Sequence, residues 1–303
     1  MNGSVPDTAR RVWTVMEVIR VSADYLTAKG VDDGRLNAEQ LLAHVLRTER
    51  LQLYLHFDRP LDEEELARYK QLLRRRAARE PLQYVLGTAQ FRTLELQVDH
   101  RVAIPRPETE YMIDVLLRIT GRRRFDAALD VGTGSGAIAL ALAAEGIARS
   151  VFATDVSTAA LDAARQNAIA AGVDGVEFRG GHLLGPFEGR TFDLVLSNPP
   201  YLAEADWLAT EPEIHEWEPR LAMVATESGL GVIRSLIDGL DGFLRPGGWI
   251  GLEVGCEQAT PVAALMEACP GFEVVQVHDD LAGRPRYVFA RQFAGARNGI
   301  GDR

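Results

Sequence analysis

The pentapeptide Ser197-Asn198-Pro199-Pro200-Tyr201 closes an apolar run, Phe192-Asp193-Leu194-Val195-Leu196. An Asn beside two prolines, leaving a buried strand, sets a side-chain carbonyl next to a rigid backbone carbonyl. Asn198 Oδ1 and the Pro199 carbonyl can each accept one hydrogen of a planar NH2 group. The nitrogen of such a group is a poor nucleophile, because its lone pair is delocalised. Hydrogen bonds from both its N–H groups favour the pyramidal geometry that develops as it attacks, which is binding strengthened in the transition state. Pro199 and Pro200 fix φ and so hold the acceptors in place, and Tyr201 offers a face on which a planar group can stack. Asn and Pro are also common in plain turns, so the pentapeptide needs support from elsewhere.

That support lies upstream. Asp130-Val131-Gly132-Thr133-Gly134-Ser135-Gly136 is a glycine-rich turn of the kind that lets a nucleoside approach the backbone. Its spacing is G-x-G-x-G, which fits a pyrophosphate cradle less well than G-x-G-x-x-G. Asp155 ends the next apolar strand, where a carboxylate can accept both hydroxyls of a ribose, a need common to NAD and S-adenosylmethionine. His182 and Leu183 follow the third strand, at the level where an adenine ring would rest. Together these residues point to methyl transfer from a sulfonium onto an amide or amidine nitrogen, a step that needs the nitrogen in line and about 3 Å away.

From about Phe125 the pattern alternates strand and helix: strands over 127–131, 151–155, 176–179, 192–196, 248–254, 272–277 and 286–290, with helices over 137–144, 158–171, 228–240 and 257–269. Such alternation predicts an α/β fold, a mostly parallel sheet with helices on both faces. The short link 279–285 predicts that the last strand runs antiparallel. Residues up to about Leu86 read as helices, with Leu36, Leu41, Leu42, Val45 and Leu46 on one face and Leu66, Tyr69, Leu73 and Ala77 on another. Pro60 and the acidic run 62–65 suit a helix start, and Arg74, Arg75, Arg76 and Arg79 its C-terminal end, either as a solvated face or as a contact for an RNA-bearing partner. Alternation at Leu94, Leu96 and Val98 predicts a strand or hairpin within 90–104, which Pro105 and Pro107 end. The predicted organisation is a helical domain (1–88), a β-hairpin linker (89–108), a catalytic domain (109–292) and an unstructured tail (293–303).

Across 303 residues, 47% are hydrophobic and 25% charged, which suits a soluble chain with a substantial core. The net charge of −10 argues against a general nucleic-acid binder, which normally carries a basic footprint. Cys256 and Cys269 form neither a metal spacing nor a disulfide framework, and no metal site is expected. The stretch around Arg10-Arg11 lacks signal-sequence character, and no apolar run approaches the roughly 20 residues that span a bilayer, so a cytoplasmic protein is expected. Nothing suggests an obligate dimer, and a monomer is expected.

Residues 130–136, 155 and 197–201 resemble the class I S-adenosylmethionine-dependent methyltransferases that act on amino groups. The segment Ile104-Pro105-Arg106-Pro107-Glu108-Thr109-Glu110 is similar to the signature of the release-factor glutamine N5-methyltransferases. So are Pro81-Leu82-Gln83-Tyr84-Val85-Leu86-Gly87, the pair Glu218-Pro219 and Asp280-Leu281-Ala282-Gly283-Arg284, so that the resemblance spans roughly residues 20 to 290. It implies a seven-stranded Rossmann-like domain with its last strand antiparallel, and a smaller N-terminal helical domain that binds the protein substrate. The implied methyl donor is S-adenosyl-L-methionine, held by Gly132, Thr133, Gly134, Ser135, Gly136, Asp155, His182 and Leu183, with Asn198 at its methyl end. The implied acceptor is the glutamine of the Gly-Gly-Gln motif in class I peptide chain release factors, with Asn198, Pro199, Pro200, Tyr201 and Arg106 contacting it. Members of that family often carry Asp where this chain has His182. Three other readings stay open: a glutamine methyltransferase acting on a large-subunit ribosomal protein, an N6-adenine nucleic-acid methyltransferase that flips its base, and a non-catalytic Rossmann-like binding module.

Overall fold

The computed structural model describes residues 12–295; the readings made at Arg10-Arg11 and for 296–303 fall outside that range. The chain divides after Leu86 into two compact units.

The first unit is helical: α1 (Val15–Ala28), α2 (Gly34–Leu46), α3 (Arg50–Leu55), α4 (Glu63–Ala77) and α5 (Leu82–Leu86). Capping boxes open two of these helices. Thr14 and Glu17 satisfy each other's backbone N–H at α1, and Asp62 and Glu65 do so at α4, where the acidic run was read as a helix start. Val18, Ile19, Leu26, Leu41, Leu42, Leu53 and Tyr69 fill the core between the helices. The arginine cluster sits in the last turn of α4 as expected, with Arg74 and Arg75 exposed, but Arg76 departs from a solvated face. Arg76 is 6% exposed and donates to Asn37 Oδ1 at 2.8 Å and to the Glu80 carbonyl at 3.1 Å. Arg75 donates to the Glu80 carboxylate and to the carbonyls of Tyr84 and Val85. These two guanidiniums therefore satisfy the carbonyls around the α4–α5 turn, a use that charge counting along the sequence cannot distinguish from a solvated face.

The second unit begins with an antiparallel hairpin, β1 (Thr88–Phe91) and β2 (Leu94–Gln97), followed by α6 (Pro107–Ile119). Then come β3 (Phe125–Val131), α7 (Ala137–Ala144), β4 (Ala148–Asp155), α8 (Thr158–Ala171), β5 (Val176–Gly180) and β6 (Phe192–Ser197). Short helices α9 (Glu204–Leu208), α10 (Pro212–His215) and α11 (Arg220–Met223) precede α12 (Gly231–Asp238), β7 (Leu244–Glu253), α13 (Ala259–Ala268), β8 (Phe272–Asp279) and β9 (Pro285–Gln292). The sheet order is β5-β4-β3-β6-β7-β9-β8, with β9 antiparallel to both neighbours and the other pairs parallel.

Both faces of the sheet are covered, which is why its strands read as nearly continuous apolar runs. Leu194 and Leu196 of β6 pack on one side with Met112, Ile113, Leu140 and Phe289. Val195 between them packs on the other side with Ile233, Leu236, Ile250 and Met266. Strand order reverses between β3 and β6. A crevice forms beyond the carboxyl ends of strands at such a reversal, and the glycine-rich turn and the Asn-Pro-Pro-Tyr segment leave the sheet there. Among the described residues, no helix is long and apolar enough to cross a membrane.

Candidate active site

A cavity of about 350 Å³ opens at the switch between β3 and β6. It is lined by Gly132, Gly134, Asp155, His182 and Leu183 towards one end, and by Asn198, Pro199, Pro200, Tyr201 and Arg106 towards the other. The two groups of residues read separately in the sequence thus share one space. Thr133, Ser135 and Gly136, expected with them, are not among the lining residues.

The reason is the path of the turn. Gly132 and Thr133 both donate their N–H to the Thr154 carbonyl at 2.9 Å, which pins β3 to β4. Thr133 Oγ1 donates to Asp130 Oδ2 at 2.6 Å, so its side chain faces into the protein. Ser135 is buried, and its carbonyl accepts from Asn167 Nδ2 at 2.9 Å. Gly136 is needed for packing: a Cβ there would lie 3.2 Å from both Ala164 Cβ and Leu140 Cδ1, and its φ of +86° opens α7. Gly132 (φ +74°) and Gly134 (φ +54°) differ, since a Cβ on either would meet no protein atom within 4 Å. At the cavity wall, those two positions leave bare backbone for a ligand to approach.

Asp155 closes β4. Its Oδ2 accepts the Gly134 N–H at 2.9 Å, and its Oδ1 accepts the Ser157 N–H at 2.9 Å. Each oxygen keeps acceptor capacity for a diol. Burial raises its pKa, and the N–H bonds from Ser157, Gly134 and Val156 oppose that rise. His182 and Leu183 sit on the bend after β5. Leu183 has a φ of +47°, a left-handed conformation that costs a side-chain-bearing residue on the order of 1–3 kcal/mol. Strain of this kind concentrates at ligand walls.

At the other end, Asn198 leaves β6, and its Nδ2 donates to Thr109 Oγ1 at 2.9 Å. Thr109 Oγ1 in turn donates to Glu253 Oε2 at 2.7 Å. Glu253, 1% exposed at the end of β7, has its pKa pushed up to about 7 by burial, against the Thr109 hydrogen bond. Tyr201 lines the cavity, and burial pushes its phenol up to about 12. Its carbonyl accepts from Gln258 Nε2 at 2.8 Å. Gly229, with φ +87°, packs so close that a Cβ there would lie 2.0 Å from the same carbonyl. Arg106 reaches the cavity with its charge already engaged, because it pairs with Glu218, which also accepts the Ile104 N–H at 2.9 Å.

The chain is similar to a release factor glutamine methyltransferase of Geobacter sulfurreducens, 41% identical over 254 residues, which cover 84% of this chain and 88% of that protein. The chain belongs to the release factor glutamine methyltransferase family. A second member, from Chlorobaculum tepidum, is 40% identical over 280 residues, covering 89% of this chain and 94% of the other. The PrmC N-terminal domain matches residues 17–87, and the methyltransferase small domain matches residues 109–215. In fold, the chain is similar to a methyltransferase crystal structure from Pyrococcus furiosus, with a TM-score of 0.50 and 20% identity over 66% of this chain and 89% of that one. The chain is accordingly a methyltransferase with the seven-stranded class I fold.

For this family member, sequence reasoning missed Asn167, Gly229, Glu253 and the hydroxyl of Thr109. Asn167 clamps both the N–H and the carbonyl of Gln97 as well as the Ser135 carbonyl, tying the hairpin to the glycine-rich turn. The available signal was its place in the alanine-rich 158–171 helix, in line with Ala160, Ala163 and Ala164 and off the face that carries Asp162, Arg165 and Gln166. Gly229 was read inside a helix starting at Ser228, but the helix starts at Gly231 because the chain must first pass Tyr201.

Proposed function

We propose that this chain transfers the methyl group of S-adenosylmethionine to the N5 amide nitrogen of the glutamine in the Gly-Gly-Gln motif of class I peptide chain release factors. The observation that carries this reading is the meeting of bare glycine backbone, a strand-end carboxylate and an Asn-Pro-Pro-Tyr acceptor pair around one cavity. Family membership supports the release factor as acceptor. It also favours release factor over ribosomal protein or nucleic acid, since the curated relatives carry that substrate in their name.

The residues fit the donor. Gly132 and Gly134 leave open backbone where a bulky cofactor must pass, and Asp155 keeps lone pairs free for two ribose hydroxyls. His182 and Leu183 line the wall suited to adenine. S-adenosylmethionine supplies a methyl group made electrophilic by its sulfonium.

Asn198 Oδ1 and the Pro199 carbonyl accept the two amide hydrogens, orienting the nitrogen and favouring loss of its planarity. Pro199 and Pro200 lack backbone N–H groups and have fixed φ, so the backbone that carries this acceptor pair is held in place during the step. Tyr201, held un-ionised by burial, is an aromatic face for the flat amide. No strong base is required, because the nitrogen becomes acidic only as the new bond forms, and its proton can then leave to solvent.

The test supplies methyl-labelled S-adenosylmethionine with purified release factor, the same factor with its Gly-Gly-Gln glutamine changed to alanine, a large-subunit ribosomal protein, and DNA. Label on wild-type release factor and not on the alanine variant is expected. Label confined to ribosomal protein or DNA would overturn the reading. Asn198→Ala is expected to lower kcat by about a hundredfold or more, as loss of one preorganised polar contact to a reacting group does elsewhere, with cofactor affinity nearly unchanged.

A further inference from the structure

Asn198 carries an amide whose two ends have nearly the same shape and opposite hydrogen-bonding character. The proposed function rests on Oδ1, not Nδ2, facing the acceptor nitrogen, because two N–H donors facing each other would repel it. Pro199 and Pro200 fix the backbone but have no influence over that side-chain flip. Something else must set it.

We propose that Thr109 and Glu253 are positioning residues that fix the polarity of the Asn198 amide, so that its oxygen is the atom offered to the substrate. The inference deepens the reading above and rests on it. Glu253 as a carboxylate can only accept. Thr109 has one hydroxyl hydrogen and gives it to Glu253 at 2.7 Å. The remaining Thr109 lone pairs can only accept, so the group that meets them must be the NH2 end of Asn198, at 2.9 Å. Oδ1 is then the acceptor of that amide left for the cavity. The acceptor-only terminus therefore sets the direction of the whole chain of hydrogen bonds, across residues separated by 89 and 144 positions.

The setting of Glu253 suits this task. Thr109 and Glu253 are both buried, at 5% and 1% exposure, so water cannot replace either partner readily. The charged groups acting on Glu253 are Arg286 on β9 and Arg106 and Glu108 at the start of α6. Glu253 in turn raises the phenols of Tyr201 and Tyr287. Burial, and to a lesser degree Glu108, favour its protonated form and raise its pKa to about 7, while the Thr109 hydrogen bond, Arg286 and Arg106 favour the ionised, acceptor-only form that prevails above that value. Replacing Glu253 with Gln would keep the volume and add a donor. The donor end of that amide could then give to Thr109, whose hydrogen would turn to Asn198 and draw Oδ1 away from the cavity.

The experiment compares Thr109→Val, Thr109→Ser, Glu253→Gln and Asn198→Ala for kcat and KM with release factor, and for S-adenosylmethionine affinity by calorimetry. Thr109→Val and Glu253→Gln are expected to lower kcat by about tenfold or more with KM and cofactor affinity within roughly threefold, the split that marks a contact made mainly in the transition state. Thr109→Ser, which restores the hydroxyl, should recover most of the kcat lost in Thr109→Val. Wild-type kcat in Glu253→Gln and Thr109→Val, with Asn198→Ala inactive, would overturn the positioning role and leave the proposed function standing. Wild-type kcat in Asn198→Ala would instead overturn the proposed function. Should Thr109→Val fail to fold, Glu253→Gln decides alone: unchanged kcat sinks the proposal, and reduced kcat with intact cofactor binding upholds it.

Discussion

Glu218, with 5% of its surface exposed, accepts the backbone N–H of Ile104 at 2.9 Å and pairs with Arg106 two residues further on. One carboxylate thus ties the segment that leads into α6 to the loop between α10 and α11. Burial raises the Glu218 pKa, and the charge of Arg106 opposes the rise. Glu218→Ala is expected to cost about 1–3 kcal/mol in urea unfolding, because the buried Ile104 N–H loses its acceptor. Glu218→Gln keeps an acceptor and should recover most of that loss, since Arg106 is over a third exposed and its ion pair contributes less. Equal losses in the two variants would show that the charge, not the backbone bond, holds the segment.

Asp155→Ala should act on the donor end alone. S-adenosylmethionine affinity is expected to fall by about tenfold or more, the worth of one or two charge-assisted hydrogen bonds. The variant also strands the N–H groups of Gly134 and Ser157, so some thermal destabilisation should accompany it. Wild-type affinity in calorimetry would remove Asp155 from the cofactor site.

Gly229→Ala tests how tightly the acceptor loop is held. The added methyl would lie 2.0 Å from the Tyr201 carbonyl and 2.5 Å from Gln258 Nε2, at a φ of +87°. The expected result is a loss of roughly 2 kcal/mol or more in stability together with a fall in kcat, because strain and displacement act on the same loop. A variant with wild-type kcat would mean that the loop tolerates movement at Tyr201.

The pH dependence of stability has a definite sign. Glu253 ordinarily would titrate at 4.5, and burial pushes it up to about 7 in the folded chain. Between those values the folded state binds more protons than the unfolded one, so stability falls as pH rises across the window and levels off above it. Asp130, fully buried with one oxygen lacking a partner, is likewise pushed up to about 7 and adds in the same direction. In Glu253→Gln that residue's share is lost, while those of Asp130, Asp155 and Glu218 remain. The Tm of that variant relative to wild type should therefore rise by roughly 5 °C between about pH 4.5 and pH 8. Parallel Tm curves would show that Glu253 is not perturbed.

Much of the fold was legible because each layer of the sequence agreed with the next. The helix 158–171 was bounded by its apolar spacing and by Gly172, which takes the left-handed φ of +63° expected of a stop. The strands showed as apolar runs because the sheet is covered on both sides. At the site, Gly132, Gly134, Asp155 and Asn198 were visible through residue type at strand ends. What stayed hidden depends on contacts across distance. Nothing near Thr109 signals a partner at 253, and Arg76 looks like a surface charge until α2 supplies Asn37. The three short helices between 204 and 223 were missed because each is five residues or fewer, too short for a periodicity to register.

The wall of the cavity has two origins in the chain. Gly132 and Asp155 sit on strand ends of the sheet itself, while Arg106 and Thr109 arrive from a segment that precedes the first sheet strand. Such a layout separates inheritance from innovation. Substitutions at Arg106 therefore reshape one wall of the cavity while the strand ends that carry Gly132 and Asp155 stay unaltered.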